Sequence, residues 1–207
     1  MNIVFDFGAV LFSWQPGALL LQTFPQQVHT HEEAAHLVHQ IFGHPDWHDF
    51  DRGVLDADVV IARTAHRLDL PLEPMGDLVH GIGERLTPIE ETVAVLLQLH
   101  QRRQAGDGVQ GLYYLSNMPI PYARLLEERY PFLQWFDGGI FSGDVLHIKP
   151  DLAIYQLLHS RYGLVPERTV FIDDLKANVK AAQSLGWQGI HFESAQQLQA
   201  DLALLGL

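Results

Sequence analysis

The sequence contains no cysteine and only three lysines among its 207 residues. The lack of cysteine excludes disulfides, thiolate metal sites and a cysteine nucleophile. Basic residues are also scarce, with 13 Lys and Arg against 25 Asp and Glu, and the formal net charge is −12. Because such a charge repels nucleic acid and anionic membranes, we expect neither as a partner. An anionic small molecule would therefore need a metal ion and a few local donors to bind.

Long apolar runs are also missing, because no stretch approaches the ~18–20 residues that cross a bilayer. The first residues, MNIVFDFGAVLF, lack the basic leader of a signal peptide, and Asp6 interrupts their apolar pattern. We therefore expect a cytoplasmic protein whose first residues form a buried strand. The length suits one core domain with a smaller insert, and nothing in the sequence indicates an oligomeric state.

Apolar patterning predicts strands that alternate with helices over most of the chain. Strands are predicted at residues 2–5, 112–115, 139–141, 169–172 and 189–192. Helices are predicted at residues 89–103, 121–129, 152–162, 176–185 and 195–205, the first with an apolar face of Val93, Leu96, Leu97 and Leu99. This alternation is typical of a parallel sheet with right-handed crossovers, so we predict an α/β fold.

The segment between the first strand and residue 88 follows a different pattern. Helical spacing recurs in three stretches separated by glycine and proline, Pro45 among them, at residues 30–43, 56–69 and 73–86. We therefore divide the chain into an α/β core, formed by residues 1–13 and 88–207, and a helical insert, formed by residues 14–87. The insert follows the first strand, so we expect it to cover the carboxyl ends of the strands as a cap.

Three aspartates follow predicted strands, with Asp6 after the first and Asp173 and Asp174 after the fourth. The carboxyl ends of parallel strands share one edge, where ligands bind in open α/β sheets. Adjacent carboxylates repel each other unless a cation is near, and oxygen ligands without His or Cys suit Mg²⁺. We predict that the three aspartates bind Mg²⁺ together with the carbonyl of Gly8, and that Asp6 is also a covalent nucleophile. Alternatively, Asp6 is a surface turn residue and Asp174 caps the following helix.

Further polar residues lie near the same predicted edge. Ser116 and Asn117 end the second strand, where a hydroxyl and free backbone N–H groups can hold phosphate oxygens, although such a pair is most often an N-cap. Lys149 follows a polar loop and could neutralise the nucleophile and the transferring group, although most lysines are solvated. Asn178 stands one helical turn after Asp174 and either orients Lys149 or an aspartate, or lies at the surface.

The insert contains aromatic and histidine residues whose patterns are less specific. Trp14 and Trp47 either pack in the core, which is the default, or line the cap side of a substrate pocket. The sequence of residues 49–52 predicts a turn in which the charged side chains are solvated and the side chain of Phe50 packs toward the interior. His31 and His36 are five residues apart rather than the four that place two zinc ligands on one helix face, so we expect them to be solvated or capping.

Four motifs in this order resemble those of haloacid dehalogenase-like hydrolases: Phe-Asp-Phe-Gly-Ala-Val-Leu (5–11), Leu-Ser-Asn (115–117), Ile-Lys-Pro-Asp (148–151) and Phe-Ile-Asp-Asp-x-x-x-Asn-Val (171–179). The resemblance covers the full length and places the insert where that superfamily carries a C1 cap. It implies a Rossmann-like core, Mg²⁺ and an aspartyl-phosphate intermediate on Asp6. It also implies that Ser116 binds phosphate, that Lys149 stabilises charge and that Asp173 and Asp174 hold the metal.

One position departs from the common phosphatase pattern of this family. The general acid/base aspartate that usually stands two residues after the nucleophile is absent, and Gly8 replaces it. The pattern Asp-x-Gly-x-Val is similar to a subgroup in which sugar-phosphate phosphatases occur. Because losing a general acid typically lowers the rate ~10²–10⁴-fold, we expect a small phosphorylated substrate with a good leaving group, such as an anomeric sugar phosphate. Alternatively, a cap residue or water supplies the proton.

Two other functions are compatible with these motifs. A 2-haloacid dehalogenase shares the fold and an aspartate nucleophile but needs no Mg²⁺, so the pair Asp173-Asp174 favours phosphate chemistry. A catalytically weak phosphate-binding or regulatory protein would be compatible with Gly8, whereas the retained nucleophile, lysine and metal carboxylates favour catalysis. The sequence thus predicts a Mg²⁺-dependent phosphatase.

Overall fold

The strands of a computed structural model, which describes residues 1–207, form a single sheet. They are β1 (Asn2–Phe5), β2 (Gly111–Ser116), β3 (Gly138–Phe141), β4 (Thr169–Asp173) and β5 (Gln188–His191). Their order across the sheet is β3-β2-β1-β4-β5, and every neighbouring pair is parallel. The predicted α/β fold with a parallel, Rossmann-like sheet is confirmed.

Ten α-helices accompany the sheet. Five precede residue 88, namely α1 (Pro16–Thr23), α2 (His31–Phe42), α3 (Pro45–Asp51), α4 (Ala57–Leu68) and α5 (Leu72–Arg85). The others are α6 (Glu90–Gln104), α7 (Ile120–Arg129), α8 (Leu152–Tyr162), α9 (Lys176–Ser184) and α10 (Ala195–Leu204). None of these helices combines the length and the apolar character that crossing a membrane requires.

The sequence patterns do not predict two short helices of the insert, α1 and α3. Pro45 is expected to interrupt helical structure, but it is the first residue of α3. Proline is well suited to this position because its fixed φ matches a helix and the first N–H of a helix has no partner within it. The ring of His44 caps this helix by accepting a hydrogen bond of 3.1 Å from the backbone N–H of Asp46.

The buried face of α6 also differs from the predicted one. Val95, Leu96 and Leu99 are buried, whereas Leu97 is 37% exposed. Residues two apart on an α-helix lie on nearly opposite sides, so Leu97 cannot share the face of Val95 and Leu99. The prediction that Leu97 belongs to the apolar face is therefore wrong.

The sheet is covered by helices on both faces. Along β1, Ile3 and Phe5 belong to one apolar cluster and Val4 to a second one on the opposite face, as the alternation of a strand requires. The second cluster is completed by α8 and α9, for example by Tyr155 and Leu158 of α8. Because both faces are covered, only the strand ends are left to reach a ligand.

The insert is joined to the first apolar cluster and to the edge at which the strands end. Next to β3, the hydroxyl of Ser142 donates a hydrogen bond of 2.6 Å to the carbonyl of Asp51, the last residue of α3. The same hydroxyl accepts a hydrogen bond of 2.8 Å from the N–H of Met118. Gly53, at φ +76°, lies so close to Gly143 that a Cβ would be 2.5 Å from its carbonyl oxygen. These contacts hold the end of α3 over the carboxyl edge of the sheet.

We predict that Leu158→Ala lowers the free energy of unfolding by about 2–5 kcal/mol, because Leu158 is fully buried between α8 and the sheet. Leu152 is on the same helix and 43% exposed, so Leu152→Ala should change stability by less than about 1 kcal/mol. Urea unfolding of the two variants measures the difference. Equal losses would contradict the assignment of this face of α8 to the core.

Candidate active site

The three aspartates meet at the carboxyl edge of the sheet. Asp6 directly follows β1, Asp173 ends β4, and Asp174 is the next residue. One carboxylate oxygen of each lies within 4.8 Å of the others, and Asp6 and Asp173 are buried. The structure thus brings together the carboxylates that the sequence predicts to converge.

Lys149 is the only cationic side chain placed between these carboxylates. Its Nζ lies 2.8 Å from Asp6 Oδ1 and 2.7 Å from Asp173 Oδ2, and the residue is 3% exposed. Burial opposes the charge on the ammonium, but the attraction of Asp173 and Asp6 outweighs it and raises the pKa of Lys149. The lysine is therefore a buried permanent cation beside the predicted nucleophile.

One ammonium does not balance three carboxylates. Burial raises the pKa of the Asp6 carboxyl above its ordinary value, Asp173 and Asp174 add to this rise, and Lys149 opposes it. Burial and the neighbouring Asp173 likewise raise the pKa of Asp174. Because a cation would remove this repulsion, the cluster is suited to a divalent ion, and its all-oxygen donor set fits Mg²⁺.

The oxygens of Asp173 are already used by donors of the protein. Oδ1 accepts hydrogen bonds from the N–H of Leu175 at 2.8 Å and from Nδ2 of Asn178 at 3.0 Å. Oδ2 accepts from Lys149 at 2.7 Å and from the same Asn178 amide at 3.0 Å. A carboxylate has about four acceptor sites, so Asp173 is saturated. Asn178 therefore orients an aspartate, and of the three clustered aspartates only Asp6 and Asp174 line the cavity.

Ser116 and Asn117 have different surroundings. Ser116 lies at the cavity, and the side chain of Asn117 binds the backbone of Lys149. Asn117 Oδ1 accepts the backbone N–H of Lys149 at 2.7 Å, and its Nδ2 donates to the carbonyl of Lys149 at 3.0 Å. The side chain of Asn117 thus fixes the backbone of Lys149. For a contact with phosphate, Asn117 can then offer its backbone N–H. The buried Ser116 lies at the cavity, where its hydroxyl can face a ligand.

A cavity of about 740 Å³ lies between the carboxyl edge and the insert. This volume is within the usual range for small-molecule sites. On its floor are residues predicted to act on phosphate, namely Asp6, Gly8, Ser116, Asn117, Lys149, Asp174 and Asn178. The predicted site residues therefore surround one space, except for Asp173, which lies beneath it.

Aromatic side chains form the opposite side of the cavity. Trp14, Phe42, Trp47, Phe50 and Tyr122 make an unbroken series of edge-to-face contacts, with centroid separations of 4.6–5.6 Å and interplanar angles of 79–88°. We call these five residues the aromatic wall. All of them except Phe50 line the cavity. The structure thus places both predicted tryptophans on the cap side of the pocket.

Sequence reasoning does not identify Phe42 or Tyr122 as members of the wall. Phe42 is the last residue of α2, and Tyr122 lies on α7, outside the insert. The Tyr122 hydroxyl donates a hydrogen bond of 2.5 Å to the carbonyl of Val79, which turns its ring toward the insert. No local sequence pattern marks these residues. Phe42 joins the wall by packing between Trp14 and Trp47, and Tyr122 joins it because α7 packs against α5.

Asp51 is a third residue that the sequence does not single out. The predicted turn with solvated charges is wrong here, because Asp51 ends α3, is only partly accessible and lines the cavity. Burial raises the pKa of its carboxyl to about 8, against the opposing charges of Lys149 and Arg52. The inward orientation of Phe50, which is 2% exposed, is confirmed. Ser142, whose hydroxyl donates to the carbonyl of Asp51, lies 91 residues away in the sequence, so no local signal reveals that Asp51 lines the cavity.

Among the relatives that align with most of this chain are a phosphatase and a hydrolase. The sesquiterpene phosphatase astK of Aspergillus oryzae is 28% identical over 188 residues, which are 91% of this chain and 87% of that protein. The chloroplastic flavin mononucleotide hydrolase 1 of Arabidopsis thaliana is 28% identical over 166 residues, which are 78% of this chain and 62% of that protein.

Solved structures share the fold at lower sequence identity. The HAD family enzyme BT-2542 of Bacteroides thetaiotaomicron, solved in complex with magnesium and inorganic phosphate, superposes with a TM-score of 0.70. The identity is 16%, and the match covers 93% of both chains. The family model for haloacid dehalogenase-like hydrolases matches residues 3–186. With most of its length matched, this chain belongs to the haloacid dehalogenase-like hydrolases.

Proposed function

We propose that the protein is a Mg²⁺-dependent phosphatase that transfers the phosphoryl group of a small phosphomonoester to Asp6 and then to water. The observation that carries this proposal is the contact of Lys149 with Asp6 inside a cluster of three carboxylates at the floor of a cavity. The names of both aligned relatives, a phosphatase and a flavin mononucleotide hydrolase, support it.

The metal would be held chiefly by the carboxylates that face the cavity. We assign Asp6, Asp174 and the backbone carbonyl of Gly8 as its ligands. Asp173 adds negative charge and holds Lys149 and, because its acceptor sites are filled, contributes less as a direct ligand. When bound, Mg²⁺ neutralises the phosphate oxygens and the charge that develops on them.

The side chains at the cavity floor account for the transfer itself. A carboxylate oxygen of Asp6 attacks phosphorus, and the bond from phosphorus to the leaving alcohol breaks. Lys149 stabilises the charge on the transferring group, and the hydroxyl of Ser116 with nearby backbone N–H groups holds its oxygens. Water then attacks the phosphorus of the aspartyl phosphate, which releases inorganic phosphate and restores Asp6.

The helical insert would act as the cap of this active site. We propose that residues 14–87 cover the core formed by residues 1–13 and 88–207 and select the alcohol half of the substrate. The position of three wall residues of the insert, Trp14, Phe42 and Trp47, on the cavity supports this role. Burial of a substrate beneath the cap excludes water, which strengthens the electrostatic interactions at Lys149.

Two classes of alcohol are candidates for the leaving group. The Asp-x-Gly-x-Val motif resembles that of sugar-phosphate phosphatases, which favours an anomeric sugar phosphate. The aromatic wall favours an apolar alcohol instead, because edge-packed rings offer surface to hydrocarbon and few groups that hydrogen-bond a sugar. The sesquiterpene phosphatase among the relatives supports this second candidate.

A 2-haloacid dehalogenase is the rival chemistry on the same fold. Displacement of halide from carbon needs no cation, and it would leave three carboxylates within 4.8 Å of one another without a metal-dependent role. The carboxylate cluster therefore favours phosphate as the substrate group. A protein that binds phosphate without hydrolysing a substrate could have the same structure as these enzymes. Only an activity assay would distinguish it from them.

We predict that Asp6→Asn lowers the turnover of p-nitrophenyl phosphate by more than about 1,000-fold, because the amide cannot accept the phosphoryl group. Steady-state assays with Mg²⁺ and with EDTA measure this, and EDTA should abolish the activity of the unmodified protein. Asp77→Asn, an exposed change on α5, is the control and should keep full activity. Release of chloride from 2-chloropropionate in EDTA would support the dehalogenase instead, and absence of turnover with every phosphomonoester would support the binding protein.

We also predict that Trp14→Gln raises the KM for farnesyl monophosphate about tenfold and changes the KM for glucose 1-phosphate little. The amide replaces part of the apolar wall, and a loss of about 1.4 kcal/mol in binding is a tenfold change. Trp135 stacks on His100 away from the cavity, so Trp135→Gln is the matched control. A larger effect on glucose 1-phosphate than on the isoprenoid ester would favour the sugar-phosphate candidate.

A further inference from the structure

The proposed reaction needs a proton donor that the nucleophile strand does not carry. An alcohol leaves phosphorus far more readily when its oxygen is protonated in the transition state, which is the task of a general acid. Gly8 has no side chain at the position where related phosphatases carry an aspartate. The proton donor must therefore be another residue that lines the cavity, or a water molecule.

Most ionisable groups at the cavity already have another task. Asp6 and Asp174 belong to the carboxylate cluster, and Lys149 is held between Asp6 and Asp173. The hydroxyl of Tyr122 donates to the carbonyl of Val79.

The charged residues at the mouth of the cavity are engaged as well. Arg52 pairs with Asp49 at 3.1 Å and with Asp151 at 3.6 Å, so both Arg52 and Asp151 have partners. Burial and the charge of Arg52 lower the pKa of His48, which leaves its ring neutral at physiological pH. A neutral imidazole is a poor proton donor, so these residues are weak candidates.

We propose that Asp51 is the general acid and general base of this active site, in place of the carboxyl that is missing at Gly8. This inference rests on the proposed phosphatase function. It assigns a catalytic residue to the insert, so that nucleophile and acid come from opposite sides of the cavity.

The position of Asp51 is held by contacts of its own carbonyl and of the two residues that follow it. Its carbonyl accepts the hydrogen bond of Ser142, and the turn that follows packs Gly53 onto Gly143. The next residue, Arg52, reaches Asp151, two residues after Lys149. These contacts join the end of α3 to the segment that carries the catalytic lysine, and the carboxyl of Asp51 lines the same cavity as Asp6.

The surroundings of Asp51 also favour the protonated form that a general acid requires. The carboxyl has no ion pair or hydrogen bond of its own within the protein. Burial raises its pKa to about 8, although Lys149 and Arg52 act against the rise. A carboxyl with a pKa near the working pH can both donate and accept a proton in one cycle.

The two steps balance with Asp51 in this role. In the first, an oxygen of Asp6 bonds to phosphorus, the bond to the alcohol oxygen breaks, and the proton of Asp51 passes to that oxygen. In the second, the Asp51 carboxylate takes a proton from water as the water oxygen bonds to phosphorus. The bond between phosphorus and Asp6 then breaks, and phosphate leaves with Asp51 protonated again.

The test compares two leaving groups in Asp51→Asn. Hydrolysis of an alkyl phosphate needs the acid, so its turnover should fall ~10²–10⁴-fold without a burst. p-Nitrophenolate leaves without a proton, so p-nitrophenyl phosphate should give a burst of about one product per enzyme and then slow turnover, because the base for the second step is missing. Asp49→Asn, two residues earlier on α3, is the matched control and should behave as the unmodified protein.

Rescue at Gly8 separates catalysis from a structural role. A Cβ on Gly8 would meet only the Cβ of Trp14, at 3.9 Å, which is an ordinary van der Waals distance, and Gly8 faces the cavity. Adding Gly8→Asp to Asp51→Asn should restore alkyl phosphate turnover at least about tenfold, and Gly8→Ala in the same background should not. Asp51→Ser provides a second test of the acid if the asparagine variant does not fold.

The outcomes distinguish this inference from the function on which it rests. Unchanged alkyl phosphate turnover in folded Asp51→Asn would overturn the role of Asp51 and leave the phosphatase intact. The same conclusion follows if both esters slow equally without a burst and Gly8→Asp restores neither. If the unmodified protein hydrolyses no phosphomonoester, the proposed function itself is wrong, and the assignment of Asp51 is wrong with it.

Discussion

The active site depends on one buried ammonium, that of Lys149, held between Asp6 and Asp173. Moving these charges out of water is costly, and the attraction between them offsets that cost only if the geometry is well defined. The protein supplies this geometry with two asparagines. Asn117 binds both backbone polar groups of the lysine, and Asn178 binds both oxygens of Asp173. The ammonium of Lys149 and the two asparagines thus connect four segments that are distant in sequence, those that carry Asp6, Asn117, Lys149 and Asp173.

The two parts of the chain contribute different chemistry to the cavity. The ends of the parallel strands carry the charged and hydrogen-bonding groups that suit a phosphate. The insert, together with Tyr122 of the core, carries aromatic rings that suit an apolar alcohol. This division explains how one fold can keep its phosphoryl chemistry while its substrate changes, because the wall can vary without moving Asp6 or Lys149.

A general acid on the insert would tie catalysis to the docked position of α3. Asp51 lines the cavity, and the contacts of Ser142 and Gly143 hold the end of α3 in this position. An aspartate at position 8 would instead be attached to the segment that carries Asp6, so its position would not depend on the docking of the insert. If Asp51 is the general acid, Gly8 and Asp51 would be two parts of one arrangement, in which closure of the insert over the substrate and proton transfer coincide.

The sequence by itself determined the parallel α/β fold, the insert and the edge where Asp6, Ser116, Asp173 and Asp174 meet. These features follow from local periodicity and from the polar residues at the ends of three of the five strands, so they can be predicted without knowing which elements pack against each other. Only the tertiary structure decided that Asp51 lines the cavity, that Tyr122 completes the aromatic wall and that the side chain of Asn117 binds the backbone of Lys149. Each of these depends on contacts between segments that are distant in sequence, from 32 residues between Asn117 and Lys149 to 91 between Asp51 and Ser142, and no local pattern encodes such contacts.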